Sequence, residues 1–483
     1  MKRNRSLVLL FVAAIGLNAA AQTVTELWQP TRDDTRTKIG TTNYPTFEEC
    51  KAAVLAHAKQ QQIAATYDCS LRLRYTPGST LPVPTPTPTV PSAPVAGDWV
   101  MGQQLGSAAL PPRPARGVLT PDPAFKTLVA RVTDRADAPV GWARNDYSRR
   151  QAFNANNTRQ LVSSSNGFWH LHNAQTFAYV GVLRGPAGDA EPQWHPTNPD
   201  LLYYLPTNGV GMQLLELNVA TGASRVVGDF GARLKAKWPG AAAAWTKSEG
   251  SPSADGRYWC FMVDNGSWGS VGVFTWDRDT NTVLGTLSTS GDRPDHVSMS
   301  PSGKFCVVSW DGTKGTVAFN PTFTTSKKIL HKSEHSDIAL LPNGDDAYVA
   351  VDYQSSGGDV FMVNLTTGVR TLLFSSYLAG TARAFHFSGK AYGKPGYVLV
   401  SAYGQYGGDV KWMDNKVTLV ELKANPRIFN VAMHRSVVPT SGYFFEPHAT
   451  INRNATLVAF TSGWGSTNTA DLHAFQARLP AVP

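Results

Sequence analysis

The sequence predicts an all-β fold, a seven-bladed β-propeller closed by an N-terminal strand and preceded by a small disulfide-linked α+β module. Three observations carry this expectation. A phrase of strand, turn and strand recurs seven times at a spacing of about 50 residues, the period of a four-stranded blade. Charged residues make up only 16% of the 483 positions, with 42 Gly and 32 Pro, a composition that suits short strands joined by many turns. A strand-like segment before the first copy, "FKTLVARVTD", has no blade of its own, and the last copy lacks a fourth strand.

In chain order, residues 1–21 carry Lys2, Arg3 and Arg5, an apolar run from Leu7 to Leu17, and Ala19-Ala20-Ala21 before Gln22. This run suits a cleavable export signal and is too short to cross a bilayer. The expectation is a secreted or periplasmic protein without a membrane span. Residues 22–80 are expected to form the small module. In it "TFEECKAAVLAHAKQ" reads as a helix opened by a Thr46/Glu49 capping box, and Tyr67, Cys69, Leu71, Leu73 and Tyr75 alternate as one face of a strand. A Cys50–Cys69 disulfide is expected to staple the module in an oxidising compartment. Cys260 and Cys306 fall in two later strands and are expected to be buried free thiols. Residues 81–97, "LPVPTPTPTVPSAPVAG", read as an extended Pro/Thr-rich linker to the propeller, residues 98–483.

The seven copies align on Asn154, His195, Ser253, Ser300, Leu341, Ser388 and Asn452, in segments such as "EPQWHPTNPDLLYY", "HVSMSPSGKFCVVS" and "HATINRNATLVAFT". Third strands such as "GGDVFMVNLTTG" and fourth strands such as "RTLLFSS" follow the turn. Pairing "FKTLVARVTD" with the terminal "LHAFQARL" would complete the last blade and remove an exposed sheet edge.

The phrases "HVSMSPSGKFCVVSW", "EPQWHPTNPDLLYYL" and "EPHATINRNATLVAFTS" resemble the repeats of TolB-type propellers and, among enzymes, those of oligogalacturonate lyase and related propeller-fold polysaccharide lyases. The resemblance covers residues 125–480. It implies a His/Gln-rich metal site at the centre of the ring; "EPHA" keeps one histidine, while the second histidine and the glutamine expected close to it are absent.

Side chains alternate along a strand, so positions four and six before each anchor share a face. Six of the seven copies place an ionisable group there, including Arg150, Glu191, Lys247, Glu249, His296, His335, Asp337, Glu446 and His448. Such groups converging in one concavity are the usual form of a site. Two chemistries fit. Glu191, Glu249 and Asp337, with His296, His335 and His448, offer donors for a divalent metal ion, Zn or Mn through mixed ligation or Ca through carboxylates. Alternatively, β-elimination on a uronic acid needs a cation beside the sugar carboxylate (Arg149, Arg150 or Lys247), a base (His296 or His448) and an acid near the leaving oxygen. Tyr147 and Tyr443 could donate that proton or stack on a sugar. His170 and His172 occupy third-strand positions and could reach substrate only in a wide funnel. His195 reads as a turn residue, and the place of His386 depends on a register that is open by two.

The formal net charge of +9 favours a polyanion, and the absence of Lys/Arg runs argues against nucleic acid. No HExxH, CxxC or GxSxG spacing occurs. The reading favoured is an exported, monomeric polysaccharide lyase acting on an anionic, uronic-acid-containing polysaccharide or oligosaccharide. The alternative is a non-catalytic propeller that binds glycan or a cell-envelope protein through the same funnel.

Overall fold

The structure is a computed structural model. It describes the backbone of residues 24–32 and 67–75, and residues 97–106, 109–137, 141–378, 383–405, 411–439 and 442–483. The chain divides into two compact units between Thr87 and Pro88. In the first, Val24–Arg32 pairs antiparallel with Tyr67–Tyr75. The expected export signal, the helix after Thr46, the Cys50–Cys69 bridge and residues 81–96 of the linker lie outside the described residues. No described helix is long and apolar enough to cross a membrane.

The second unit is mostly β. Five four-stranded sheets follow one another, each with its strands hydrogen-bonded in sequence order. They begin at Gln193–Trp194, Ala241–Trp245, His296–Met299, Ser336–Leu340 and Arg383–Ser388. A nine-stranded sheet joins the two ends of the unit. In it Thr450–Ile451, Leu457–Ser462 and His473–Arg478 are continued by Leu128–Arg131, which pairs antiparallel with the last of these, Phe475 opposite Arg131 and Arg478 opposite Leu128. A single parallel pair, His473 with Ala143, leads on to Arg159–Ser164, Phe168–Asn173 and Tyr179–Ala187. The segment left over before the first copy thus supplies the strand missing after the last.

Sheets packed on both faces cannot alternate apolar and polar residues, which explains runs such as Tyr258–Asn265, where Trp259 to Val263 are all buried. Phe230, Phe261, Phe274 and Trp276 interlock across neighbouring sheets with ring centroids 5.0–5.7 Å apart. Five of the seven recurring anchors are side-chain turn caps; Leu341, with no polar side-chain atom, is not. Asn154 Oδ1 accepts from the Thr158 and Arg159 amides at 2.8 and 2.9 Å, and Asn452 Oδ1 accepts from Thr456 and Leu457 at the same distances. Ser253 and Ser300 use Oγ in the same way, on the Tyr258 and Phe305 amides. His195 does so through Nδ1, which accepts from Asn198 N at 2.9 Å, so its role is structural. Ser388 departs from the pattern: its Oγ lies 3.1 Å from Thr450 Oγ1 in the next repeat.

The expectation of free thiols is overturned. Cys260 and Cys306 form a disulfide with Cα atoms 5.7 Å apart, both side chains buried. They lie on second strands of consecutive sheets, which meet face to face, and a reading of each strand by itself does not bring them together. This bridge closes a loop with a sequence separation of 46. Reduction, or Cys306→Ser, is expected to lower unfolding free energy by about 2–4 kcal/mol, read from denaturant midpoints with and without reductant. Peptide mapping that finds both cysteines alkylated in the unreduced protein would refute the bridge.

Candidate functional site

The starts of the inner strands and the segments just before them bring ionisable side chains from several repeats into one concavity. Tyr147 and Arg149 come from the first copy, Lys247 and Glu249 from the third, His296 from the fourth, His335 from the fifth, and Tyr443, Glu446 and His448 from the seventh. His386 and Tyr403 join them from the sixth. The Tyr147 ring lies 5.4 Å from His386 and 5.2 Å from His448; His386 lies 4.5 Å from His335 and 4.2 Å from His448. An adjoining cavity of about 240 Å³ is lined by Arg149, Glu249, Asp295, Ser333, Glu334 and His335.

One half of this concavity is an imidazole cluster. His386 Nε2 lies 2.6 Å from Glu446 Oε2, His448 Nε2 lies 3.2 Å from the Tyr443 carbonyl, and His335 Nδ1 lies 2.8 Å from the Phe385 carbonyl. A carbonyl only accepts, so His448 Nε2 and His335 Nδ1 donate and each ring keeps a lone pair on its other nitrogen. His386 Nδ1 and His448 Nδ1 are buried without a hydrogen-bond partner among the described residues. One donor atom from each of His386, Glu446 and His448 lies within 4.8 Å of the others. Two imidazoles and a carboxylate suit a divalent transition-metal ion.

Electrostatics agrees with that donor set. Burial, with His386 and Arg149 nearby, pushes His335 down to about 4; burial, with Arg149, pushes His386 down to about 3. Burial and the neighbouring His386 hold His448 well below the usual imidazole range. All three rings are neutral near pH 7, as metal ligands must be. Burial lifts Glu446 to about 7, against the pull of His335 and Arg144.

The other half is charge-balanced. Arg149 Nη1 contacts Glu249 Oε2 at 2.9 Å, and Lys247 Nζ contacts Asp295 Oδ1 at 2.8 Å. His296 Nδ1 is 3.2 Å from Asp295 and 3.7 Å from Glu249. Burial opposes ionisation of both acids, but Arg149 and His296 outweigh it for Glu249, and His296 and Lys247 outweigh it for Asp295, so both stand below their ordinary values. Glu249, Asp295 and His296 also group within 4.8 Å, but a cation already balances each acid. Burial raises the Tyr147 phenol, which stays protonated.

The remaining expected residues stand elsewhere. Glu191 accepts from Thr246 N and Oγ1 at 3.0 and 2.7 Å and from Ser248 N, tying its repeat to the next. Asp337 does the same at the fifth copy, accepting from Gly389 N at 2.7 Å and Lys390 Nζ at 2.9 Å. Arg150 binds Asp146 and the Ser248 carbonyl. His170 and His172 pack beside Tyr179 on the strand Phe168–Asn173, with ring centroids 5.8 and 5.3 Å from it. The residues sequence reasoning missed are Asp295, Tyr403 and Arg144; His386 enters because its repeat follows the slipped register.

Three buried histidines outside the cluster predict acid lability. Desolvation takes His172, His434 and His473 down to about 4. The unfolded chain takes up protons below pH 6.5 that these native rings refuse, so stability falls as pH drops from 6.5 through 4. The slope is up to about 1.4 kcal/mol per pH unit for each ring. Urea midpoints should drop markedly between pH 7 and 5, and a flat profile would contradict the burial of neutral imidazoles.

No family model and no curated protein matches the chain. Among solved structures, an oligogalacturonate lyase from Vibrio parahaemolyticus aligns with a TM-score of 0.53 at 13% identity, covering 76% of this chain and 99% of its own. An oligogalacturonate lyase in complex with manganese aligns with a TM-score of 0.54 at 17% identity, covering 76% and 98%. TolB from Acinetobacter baumannii is also similar, at 14% identity over 61% of this chain and 66% of its own, with a TM-score of 0.32. At 13% and 17% identity the likeness to the two lyases is one of fold, a propeller-like β structure.

Proposed function

We propose that the protein is an exported lyase that cleaves an anionic, uronic-acid-containing polysaccharide or oligosaccharide by β-elimination, built on seven blades, two of them within the nine-stranded sheet. The observation that carries this reading is the His386–Glu446–His448 group with its two buried, unpartnered Nδ1 atoms, set beside His335, His296 and Tyr147 in one concavity. The resident ion is Mn or Zn, since two imidazoles suit these better than Ca. The manganese in one lyase of similar fold supports that choice. Bound there, it would draw electron density from a uronate carboxylate and so acidify the neighbouring C5–H.

The chain's own groups supply the rest. Arg149, Arg150 and Lys247 each hold a carboxylate of the protein, so they position acids; an ion held by His386, Glu446 and His448 would supply the charge that neutralises the sugar carboxylate. His296, with Nδ1 held by Asp295, keeps Nε2 as its basic nitrogen and takes the C5 proton. The C4–O4 bond breaks with its electron pair going to O4, a C4=C5 double bond forms, and the protonated phenol of Tyr147 returns a proton to O4.

The test incubates the protein with polygalacturonate, glucuronan, ulvan and alginate while following ultraviolet absorbance of the unsaturated product. At least one substrate should give a rise that chelator abolishes and Mn restores. His296→Ala should lower kcat about 100-fold. No rise on any of the four would sink the lyase reading; activity retained by both His296→Ala and His448→Ala would refute the site.

A further inference from the structure

A buried arginine without a carboxylate partner lies at the edge of this concavity. Arg144 is 4% exposed, and among the described residues its hydrogen bonds run from Nη1 to the carbonyls of Asn145 and Asp146, at 2.8 and 2.7 Å. Its Nε is buried with no hydrogen-bond partner among the described residues, and none of the hydrogen bonds to described residues runs from Nη2. The Nε–Nη2 edge is the side of a guanidinium that grips a carboxylate through two parallel bonds. The adjacent acid, Asp146, is committed to Arg150 Nε at 2.5 Å. A buried charge left this way is costly unless something else pairs it.

The guanidinium is framed by aromatic rings. Its Cζ lies 5.3, 5.8 and 4.8 Å from the ring centroids of Trp142, Tyr443 and Phe444. Trp142 and Phe444 pack at 4.9 Å, while Tyr443 and Phe444 are 48% and 41% exposed. Such exposure of large rings marks a binding surface when it is contiguous. A fixed turn, Tyr443–Phe445, holds them, anchored by the buried Phe445, whose carbonyl accepts from Ser436 Oγ. The platform is continuous with the imidazole cluster, because the Tyr443 ring stands 4.8 Å from His448.

We propose that Arg144 and the Trp142–Phe444 rim form a uronate-recognition subsite: the free Nε–Nη2 edge takes the carboxylate of a sugar whose ring lies on the aromatic platform. This deepens the lyase reading and rests on its substrate class, but it concerns binding and can be tested without turnover. The occupant is a uronic acid and not a neutral sugar, since the guanidinium requires an anion and the rings require an apolar pyranose face.

The experiment measures binding of trigalacturonate, triglucuronate and their methyl esters by titration calorimetry in chelator, where no elimination consumes the ligand. Wild type should prefer one free acid over its ester. Arg144→Met should lower affinity for that acid about 10–100-fold, the worth of charge-assisted hydrogen bonds, and change affinity for the ester less than threefold. Phe444→Ala, an exposed site where misfolding is not expected, should weaken acid and ester alike by about tenfold. Equal binding of acid and ester, preference retained in a folded Arg144→Met, an unchanged Phe444→Ala, or no binding of any of the four would each overturn the subsite. Binding with the expected variant pattern, but no elimination on any polymer, would uphold the subsite and reject the lyase reading. Elimination with unaltered variants would do the reverse.

Discussion

The pairing of Leu128–Arg131 with His473–Arg478 is the constraint on which the rest of the second unit depends. It joins segments as far apart as Thr133 and Ala474, 341 residues, where the threonine hydroxyl accepts from the alanine amide at 3.0 Å. Loop-closure entropy grows only logarithmically with length, so one joint over so long a chain is affordable if it buries enough apolar surface. Val129, Phe475, Val458 and Ala477 supply that burial. Without the joint, two sheet edges would be open to other chains.

The candidate site straddles the same joint. Asn145 Nδ2 donates to the His448 carbonyl at 2.5 Å, Thr450 Oγ1 donates to the Arg150 carbonyl at 2.8 Å, and Thr461 Oγ1 donates to the Asn145 carbonyl at 3.2 Å. Tyr147 and Arg149 from the first repeat therefore meet Tyr443, Glu446 and His448 from the last only because the ends are stitched together. In and around the site, and elsewhere in the second unit, charges are compensated in the ways burial demands. Arg149 takes Glu249, Lys390 takes Asp337, and Arg383 takes Asp414 in a fully buried pair. Where polar groups are matched in this way, the fold is sufficient explanation. In this cluster the mismatches are His386 Nδ1, His448 Nδ1 and Arg144 Nε, and satisfied burial being the rule, they point to something the chain itself does not supply.

The repeat was legible because its anchors do local work. An Asn or Ser that caps the turn leaves a mark at a fixed distance from the strand it opens, so Asn154, Ser253, Ser300 and Asn452 could be aligned by inspection. Positions four and six before the anchor were legible as polar, but not as functional. Glu191 and Asp337 share that position with His448, yet both bind amides of the next repeat, a contact between segments about 50 residues apart that no spacing within one repeat displays. The Cys260–Cys306 bridge was hidden for the same reason, since it is a relation between sheets. His386 was obscured by the irregular turn after Ser388, whose side chain reaches Thr450 in place of its own turn.

Backbone strain joined to an unpartnered ring nitrogen separates His448 from the other polar residues of the inner strands. It has a φ of 41°, in the left-handed region, where a side chain bearing a Cβ costs of order 1 kcal/mol. Glycine would relieve that cost, yet the position carries a histidine that is fully buried, with rings of His386, Tyr443 and Tyr147 at 4.2, 4.8 and 5.2 Å. Glu191, at a φ of 49°, shows that the fold tolerates the same strain for a structural tie, but there both carboxylate oxygens are bonded in return. His448 gains only one ring hydrogen bond, to the Tyr443 carbonyl, and leaves Nδ1 bare. Backbone strain, complete burial and an unpartnered nitrogen at one residue are three local penalties without a local return. Such violations concentrate where a chain serves something other than its own folding, and among the polar positions of the inner strands His448 is where a ligand would repay them.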